Sequence, residues 1–268
     1  MKHEVIHLCR DDENVTLTTY VQTSKDQKSD ALLVIPGGGY SNVCSDREGE
    51  NIALVFNGMG MQCFVLNYST KEKAKYPRPL QEASLAMAYI KSHAEEYGID
   101  PEKVFVLGFS AGGHLAGSLG TLWHKPEAYK PVGLEFGANR PCGMILCYPV
   151  LSYFPETHLG TFYNALGTRN PSEEEASVVS LEKHVDENTV PSFLWHTADD
   201  ASVHVDNTLK MMSALARNKI YCEAHVYPHG PHGMALATPT TDAKEGEMTN
   251  ERIAEWPRLA KAWMKTVK

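Results

Sequence analysis

The chain of 268 residues is 43% hydrophobic and 22% charged, a composition that buries a core without metal or disulfide staples and excludes disordered and fibrous architectures. Its 33 acidic against 25 basic side chains leave a formal charge of -8, which repels phosphate backbones and anionic lipid surfaces, so nucleic-acid and membrane partners are not expected. No window reaches the roughly eighteen apolar residues of a spanning helix, and the opening MKHEVIHLCRDDENV lacks the apolar run of a signal peptide, so a cytoplasmic protein is the expectation.

In chain order, IHL and VTLTTYV alternate around the polar DDEN and predict an antiparallel hairpin. Six β-rich runs follow: Ala31 to Ile35, Cys63 to Leu66, Val104 to Leu107, Met144 to Tyr148, Ser192 to His196 and Tyr221 to Val226. ALLVI, VFVL and MILCY are apolar almost throughout, as strands buried on both faces are. Between the runs, Leu80, Ala83, Met87, Ile90, Ala94 and Tyr97 recur at intervals of three and four, which predicts one amphipathic helix ending at Gly98. Helices are also expected over Ala111 to Leu122, Asp206 to Arg217 and Trp256 to Thr266. This alternation predicts an α/β fold: a mostly parallel sheet with helices on both faces, preceded by the hairpin. Without repeats or linkers, residues 1–268 read as one domain. Leu151 to Val190, the least regular stretch, reads as a cap over the carboxyl edge of the sheet. Its acidic run Glu173 to Glu175 reads as a solvated first helical turn. The cysteines (Cys9, Cys44, Cys63, Cys142, Cys147, Cys222) form no CxxC pair and are expected to be reduced.

The strongest local signal is Gly108-Phe109-Ser110-Ala111-Gly112, a GxSxG string between a strand and a helix. A strand reversing sharply into a helix strains its central residue and leaves room only for glycine two positions either side. The serine then stands at a helix N-terminus, where backbone N–H groups favour developing negative charge. A hydroxyl is a poor nucleophile at neutral pH, so it needs a base held by a carboxylate. Asp199 and Asp200 follow the strand ending at His196, and His229 and His232 follow the next one, giving the order Ser, Asp, His with each pair open. His225, His229 and His232 are spaced like zinc ligands, but Pro228 and Pro231 break the helix such a site needs, so no metal is expected. Pro36-Gly37-Gly38-Gly39-Tyr40, directly after ALLVI, offers backbone N–H groups close to an acyl oxygen. It lacks the spacing of a dinucleotide or phosphate loop, and no cofactor is implied.

With PGGGY, LNY at Leu66 to Tyr68, GFSAGGHLA at Gly108 to Ala116, WHTADD at Trp195 to Asp200 and PHGPHG at Pro228 to Gly233, the chain resembles the α/β-hydrolase superfamily. Within it, the likeness is to small carbohydrate acetylesterases, some named xylanase-like. The resemblance runs from about Ala31 to Leu236 and implies Ser110 as nucleophile and the amides of Gly38, Gly39 and Ala111 as oxyanion hole, Gly37 being the alternative to Gly39. The superfamily pattern HGxxDxxVP puts the acid at Asp200, with Asp199 a neighbouring structural carboxylate, and the final HG puts the base at His232. His114 is implied as a hydrogen-bonded helix residue lining the site. Tyr40, Trp195 and residues of the Leu151 to Val190 segment are candidates for the pocket wall, Trp195 reading equally as core. The sequence departs from the superfamily at Pro36, Thr197 and His204. The first two recur in the carbohydrate-esterase branch, and His204 has no reading.

The expected function is a serine esterase removing acetyl or other short acyl groups from oligosaccharides, its partner being the acylated sugar. A prolyl-type peptidase or an esterase for a non-sugar ester is the alternative. A glycosidase needs two carboxylates flanking a sugar bond, and no pair is marked for that role. A binding protein on a hydrolase fold would have lost a member of the Ser, Asp, His set, and none is missing.

Overall fold

The computed structural model describes residues 1–22 and 28–268. Eight strands form one sheet: β1 (Val5–His7), β2 (Thr16–Tyr20), β3 (Ser29–Ile35), β4 (Gln62–Asn67), β5 (Ile99–Phe109), β6 (Met144–Cys147), β7 (Ser192–Thr197) and β8 (Cys222–Tyr227). Their spatial order is β1-β2-β4-β3-β5-β6-β7-β8. The pairs β1/β2 and β2/β4 are antiparallel and the remaining five are parallel. The expected hairpin is therefore the antiparallel margin of a parallel sheet.

Ten α-helices accompany the strands among the described residues: α1 (Ser45–Glu48), α2 (Glu50–Gly58), α3 (Arg78–Ser92), α4 (Ala94–Tyr97), α5 (Ser110–Leu122), α6 (Pro126–Tyr129), α7 (Leu159–Leu166), α8 (Glu173–Val178), α9 (Asp206–Arg217) and α10 (Trp256–Met264). Successive strand residues point to opposite faces, and the core divides accordingly. Ala31, Leu33 and Ile35 of β3 join Val104 and Val106 of β5 in a cluster with α3, α5 and α9. Leu32 and Val34 join Phe105, Leu107 and Phe109 against α2 and α10 on the other face. Strands apolar on both faces are what ALLVI and VFVL encode.

One helix expectation needs correction. The stripe from Leu80 to Tyr97 is split between α3 and α4, because at His93 the ring Nδ1 bonds Tyr89 O at 2.8 Å and stacks on the Tyr89 ring. This local side-chain bond competes with helix continuation. Gly98, in the left-handed region, then caps α4 as its position suggested. The acidic run opens α8 behind a capping box between Ser172 and Glu175.

The order of strands positions the site. From β3 the chain runs outward to β4 and then crosses back to β5 on the other side of β3, so the loops after β3 and β5 diverge at a topological switch point. Those loops carry Pro36 to Tyr40 and Ser110. Ser110 has φ of 50°, a strained value for a residue with a Cβ. A Cβ on Gly108 would lie 2.1 Å from Gly112 O, and one on Gly112 would lie 2.2 Å from Ile35 O and 2.3 Å from Pro36 O. Gly112→Ala is therefore expected to destabilise by at least about 2 kcal/mol, as overpacking against immovable backbone does. Gly58, with nothing within 4 Å of its added Cβ, supplies the contrast: Gly58→Ala should be neutral or stabilise by a few tenths of a kcal/mol. Urea unfolding midpoints of both variants check the pair.

Candidate functional site

The loops after β5, β7 and β8 meet at Ser110. His232 Nε2 lies 2.9 Å from Ser110 Oγ, and His232 Nδ1 lies 2.7 Å from Asp200 Oδ2. Asp200 is fixed in turn, its Oδ1 accepting the Ser202 and Val203 N–H groups at 2.9 Å each. Burial opposes its ionisation, yet the bonds from His196, His232 and the Val203 amide hold its carboxyl well below the ordinary carboxylate range. With an anion at Nδ1, the imidazole carries its proton there and presents Nε2 as acceptor to the serine hydroxyl.

The two open pairs in the sequence are resolved by geometry. Asp199 also bonds a histidine, His229, at 2.9 Å, but that imidazole is 84% exposed and bonds no serine. Asp199 Oδ1 takes the Gly230 N–H at 2.9 Å and ties the two loops together. The zinc-like spacing of His225, His229 and His232 likewise dissolves: each ring has its own carboxylate, Glu223, Asp199 and Asp200 respectively.

Around Ser110, the chain presents N–H groups from two sides. Ala111 lies in the first turn of α5, where N–H donors have no helical acceptor. Gly38 and Gly39 line the same cleft, and among the described residues neither N–H has a hydrogen-bond acceptor. The Gly37 N–H donates to Glu48 Oε2 at 2.8 Å, which removes it as the alternative donor.

Glu48 is the main residue that sequence reasoning missed. It is 2% exposed, yet it borders the cleft. Oε1 accepts the Tyr148 hydroxyl at 2.8 Å, and that hydroxyl in turn accepts the Ala235 N–H at 2.9 Å. Burial raises its pKa, against the bonds from Tyr148 and Gly37. The Tyr148 ring meets His232 edge-on at 5.0 Å, so this one carboxylate ties the glycine loop to the histidine loop. Arg47 closes the same corner by donating to Gly233 O at 3.1 Å. His158, the N-cap of α7, lies in the segment Leu151 to Val190 expected to line the pocket but was not singled out; its Nδ1 accepts the Thr161 N–H at 3.3 Å, and its ring borders the cleft. For Glu48 the sequence offered only a Glu three residues after Ser45, a spacing common at helix starts.

Three expectations for the pocket wall are corrected. Tyr40 and His114 are each 2% exposed and Trp195 is fully buried, and none borders the cleft. Trp195 packs among Tyr148, Tyr227 and Trp256 in the core. The Tyr40 hydroxyl donates to His114 Nδ1 at 2.9 Å, and His114 Nε2 donates to Val179 O at 2.9 Å. They form a buried strut from the glycine loop through α5 to the segment 151–190. His204, without a reading before, is half exposed at the start of α9, where its Nδ1 accepts the Asp206 N–H at 3.2 Å.

The cleft holds about 310 Å³. A family model with the description BD-FAE matches residues 17–215. The chain belongs to the BD-FAE family. Endo-1,4-beta-xylanase B of Butyrivibrio fibrisolvens is 40% identical over 215 residues, which cover 79% of this chain and 33% of that protein. An acetylxylan esterase of Xylanibacter ruminicola is 28% identical over 215 residues, 78% of this chain and 42% of that protein. The BD-FAE chain thus spans less than half the length of these two relatives. Among solved structures, an acetyl ester-xyloside bifunctional hydrolase from Caldicellulosiruptor lactoaceticus superposes with a TM-score of 0.85 at 32% identity, over 98% of this chain and 96% of that one. Family and fold together place this BD-FAE member among the esterases of the α/β-hydrolase type. Among the described residues, no helix is long and apolar enough to cross a membrane.

The strut makes a pH prediction. Burial lowers the His114 pKa from 6.5 to about 4. Between those values the unfolded chain binds a proton that the native one refuses, so this contribution is complete above pH 6.5 and is lost as pH falls toward 4. It amounts to as much as about 3 kcal/mol. The stability advantage of the wild type over His114→Gln should therefore shrink between pH 7 and pH 4.5, as read from urea unfolding at both pH values.

Proposed function

We propose that the chain is a serine esterase that removes short acyl groups, acetyl foremost, from oligosaccharides. The observation that carries this reading is the continuous chain from Ser110 Oγ through His232 to Asp200, with spacings of 2.9 and 2.7 Å, opening into a small polar cleft. Ser110 Oγ attacks the ester carbonyl carbon and passes its proton to His232 Nε2, while Asp200 stabilises the imidazolium. The carbonyl oxygen becomes an oxyanion that accepts from the N–H groups of Gly38, Gly39 and Ala111. Collapse expels the sugar oxygen, which takes the proton from His232. Water, deprotonated by the same imidazole, then attacks the acyl-serine and releases the acid.

The sugar assignment draws on the xylan-related names of the relatives and on a cleft near the small end for ligand pockets. Residues 1–268 serve in this reading as one hydrolase domain, with 151–190 as a cap that supplies His158 to the cleft. A glycosidase would need two carboxylates flanking the bond. The cleft wall carries one, Glu48, and both of its oxygens are engaged by Tyr148 and Gly37. A pure binding protein gains nothing from a serine held in strained backbone and bonded to an imidazole.

The deciding experiment is acetate release from acetylated xylo-oligosaccharides, with short and long 4-nitrophenyl esters in parallel. Acetate from the sugar, rates falling steeply beyond short acyl chains, and loss of about 10⁴-fold or more in kcat for a folded Ser110→Ala are expected. Substantial turnover by Ser110→Ala would overturn the mechanism, and turnover of the 4-nitrophenyl esters alone would overturn the sugar assignment.

Glu48 gives a separate expectation. Removing its carboxylate frees Gly37 and Tyr148 together, and misplacing the oxyanion donors by about 1 Å costs up to about 10²-fold in rate. Glu48→Ala should lower kcat on 4-nitrophenyl acetate by about that factor with KM little changed, and Glu48→Gln, which keeps an acceptor for one partner, should lose less. Steady-state kinetics of both variants checks the order.

A further inference from the structure

A second cavity, of about 430 Å³, lies on the far side of the glycine loop from the cleft. Two bonds tie its wall to that loop: Asn164 Nδ2 donates to Gly39 O at 2.8 Å, and the Lys71 N–H donates to Tyr40 O at 2.7 Å. Gly39 borders the cleft beside Ser110 and Asn164 borders the cavity, so this bonded pair forms a partition between the two walls.

The charge of this cavity is opposite to that of the molecule. Lys71, Lys75 and Arg169 border it against a single carboxylate, Glu72, in a chain of formal charge -8. Among the described residues none of the three forms an ion pair, and what sets them apart from other unpaired cations such as Arg217 and Lys219 is that they converge on one cavity. Lys75 is also held in place: it lies over Gly167, where an added Cβ would sit 2.3 Å from its Cε. Gly167 has φ of 71° as the cap of α7, so the turn that brings in Arg169 also makes room for the lysine. Tyr163 adds an aromatic surface and Asn164 a polar edge, the mixture that receives a ring with one apolar face and a rim of hydroxyls.

We propose that this cavity is a binding subsite for a carboxylate-bearing sugar unit of the substrate, a uronic acid attached near the acylated residue. The proposal rests on the esterase reading and deepens it: the neutral acyl sugar occupies the cleft, and the acidic unit crosses the Gly39–Asn164 partition to the three cations. Its carboxylate supplies the charge the cavity lacks, and the guanidinium of Arg169 can take it in two parallel hydrogen bonds.

Calorimetry tests this without turnover, using deacetylated xylo-oligosaccharides of equal length with and without a uronic-acid branch, and inorganic phosphate as a second anion. The wild type should bind the acidic oligosaccharide at least about tenfold more tightly at low salt, the margin narrowing as ionic strength rises. A triple variant, Lys71→Gln with Lys75→Gln and Arg169→Gln, should bind both oligosaccharides alike. Its turnover of 4-nitrophenyl acetate should equal that of the wild type, since none of the three side chains borders Ser110 or His232. Equal binding by the wild type, or a preference that survives the triple substitution, would overturn the subsite. Phosphate binding as tightly as the acidic sugar would overturn its assignment to a uronate. Loss of the esterase reading would show separately, as absent ester turnover by the wild type.

Discussion

A close approach of one backbone segment to another decides the arrangement of the site. At the end of β5 the chain reverses at Ser110, and α5 begins so close to β3 that Gly112 sits against the carbonyls of Ile35 and Pro36. That contact brings the Ala111 N–H in the first turn of α5 and the N–H groups of Gly38 and Gly39, free among the described residues, to one place, although Gly39 and Ala111 are 72 positions apart in the chain. Gly37 shows how tight the fit is, since a Cβ there would lie 3.0 Å from that of Ser110. The strain at Ser110 is sustained because sheet pairing on one side and the apolar packing of Leu115 and Leu119 on the other leave the turn no alternative. Donors built into backbone in this way need no reorganisation when charge develops.

Within that frame, two histidine–aspartate pairs of nearly identical spacing differ in what surrounds them. Asp199 with His229 and Asp200 with His232 each close a bond between the loops after β7 and β8, at 2.9 and 2.7 Å. Asp200 lies under its loop, where two backbone N–H groups and the His196 ring keep it ionised. Asp199 points outward into water, where the interaction is screened and worth little. The turn after β7 leaves Asp200 buried and Asp199 half exposed, so one pair is inside and the other outside.

This explains what could be read from the sequence and what could not. The parallel sheet was legible because burial on both faces writes uninterrupted apolar runs, and the elbow because sterics permit only glycine around Ser110. Tyr40, His114 and Trp195 were placed on the pocket wall because polar aromatic residues beside a motif look the same whether they face a ligand or each other. The hydrogen bonds that satisfy Tyr40 and His114 join residues 74 and 65 positions apart, and no local pattern records them. Glu48 was hidden for a related reason. A glutamate in a short helix is ordinary, and only the packing of Gly37, Tyr148 and Ala235 around it makes it a fixed centre of the site.

The buried strut has a mechanical consequence for the segment 151–190. A neutral imidazole has one donor and one acceptor, and in His114 both are used, the Nε2 proton on Val179 O and the Nδ1 lone pair on the Tyr40 hydroxyl. Tyr40 is itself in the left-handed region at φ 58°, next to Gly39. A shift of the Val179 loop therefore pulls on the backbone that carries the Gly38 and Gly39 N–H groups, and Asn164 pulls on it again through Gly39 O. The segment 151–190 is coupled to the Gly38 and Gly39 backbone at two points, and the bonds through His114 are costly to break because they are buried. In the proposed esterase, a ligand engaging α7 would reach Ser110 through hydrogen bonds already in place.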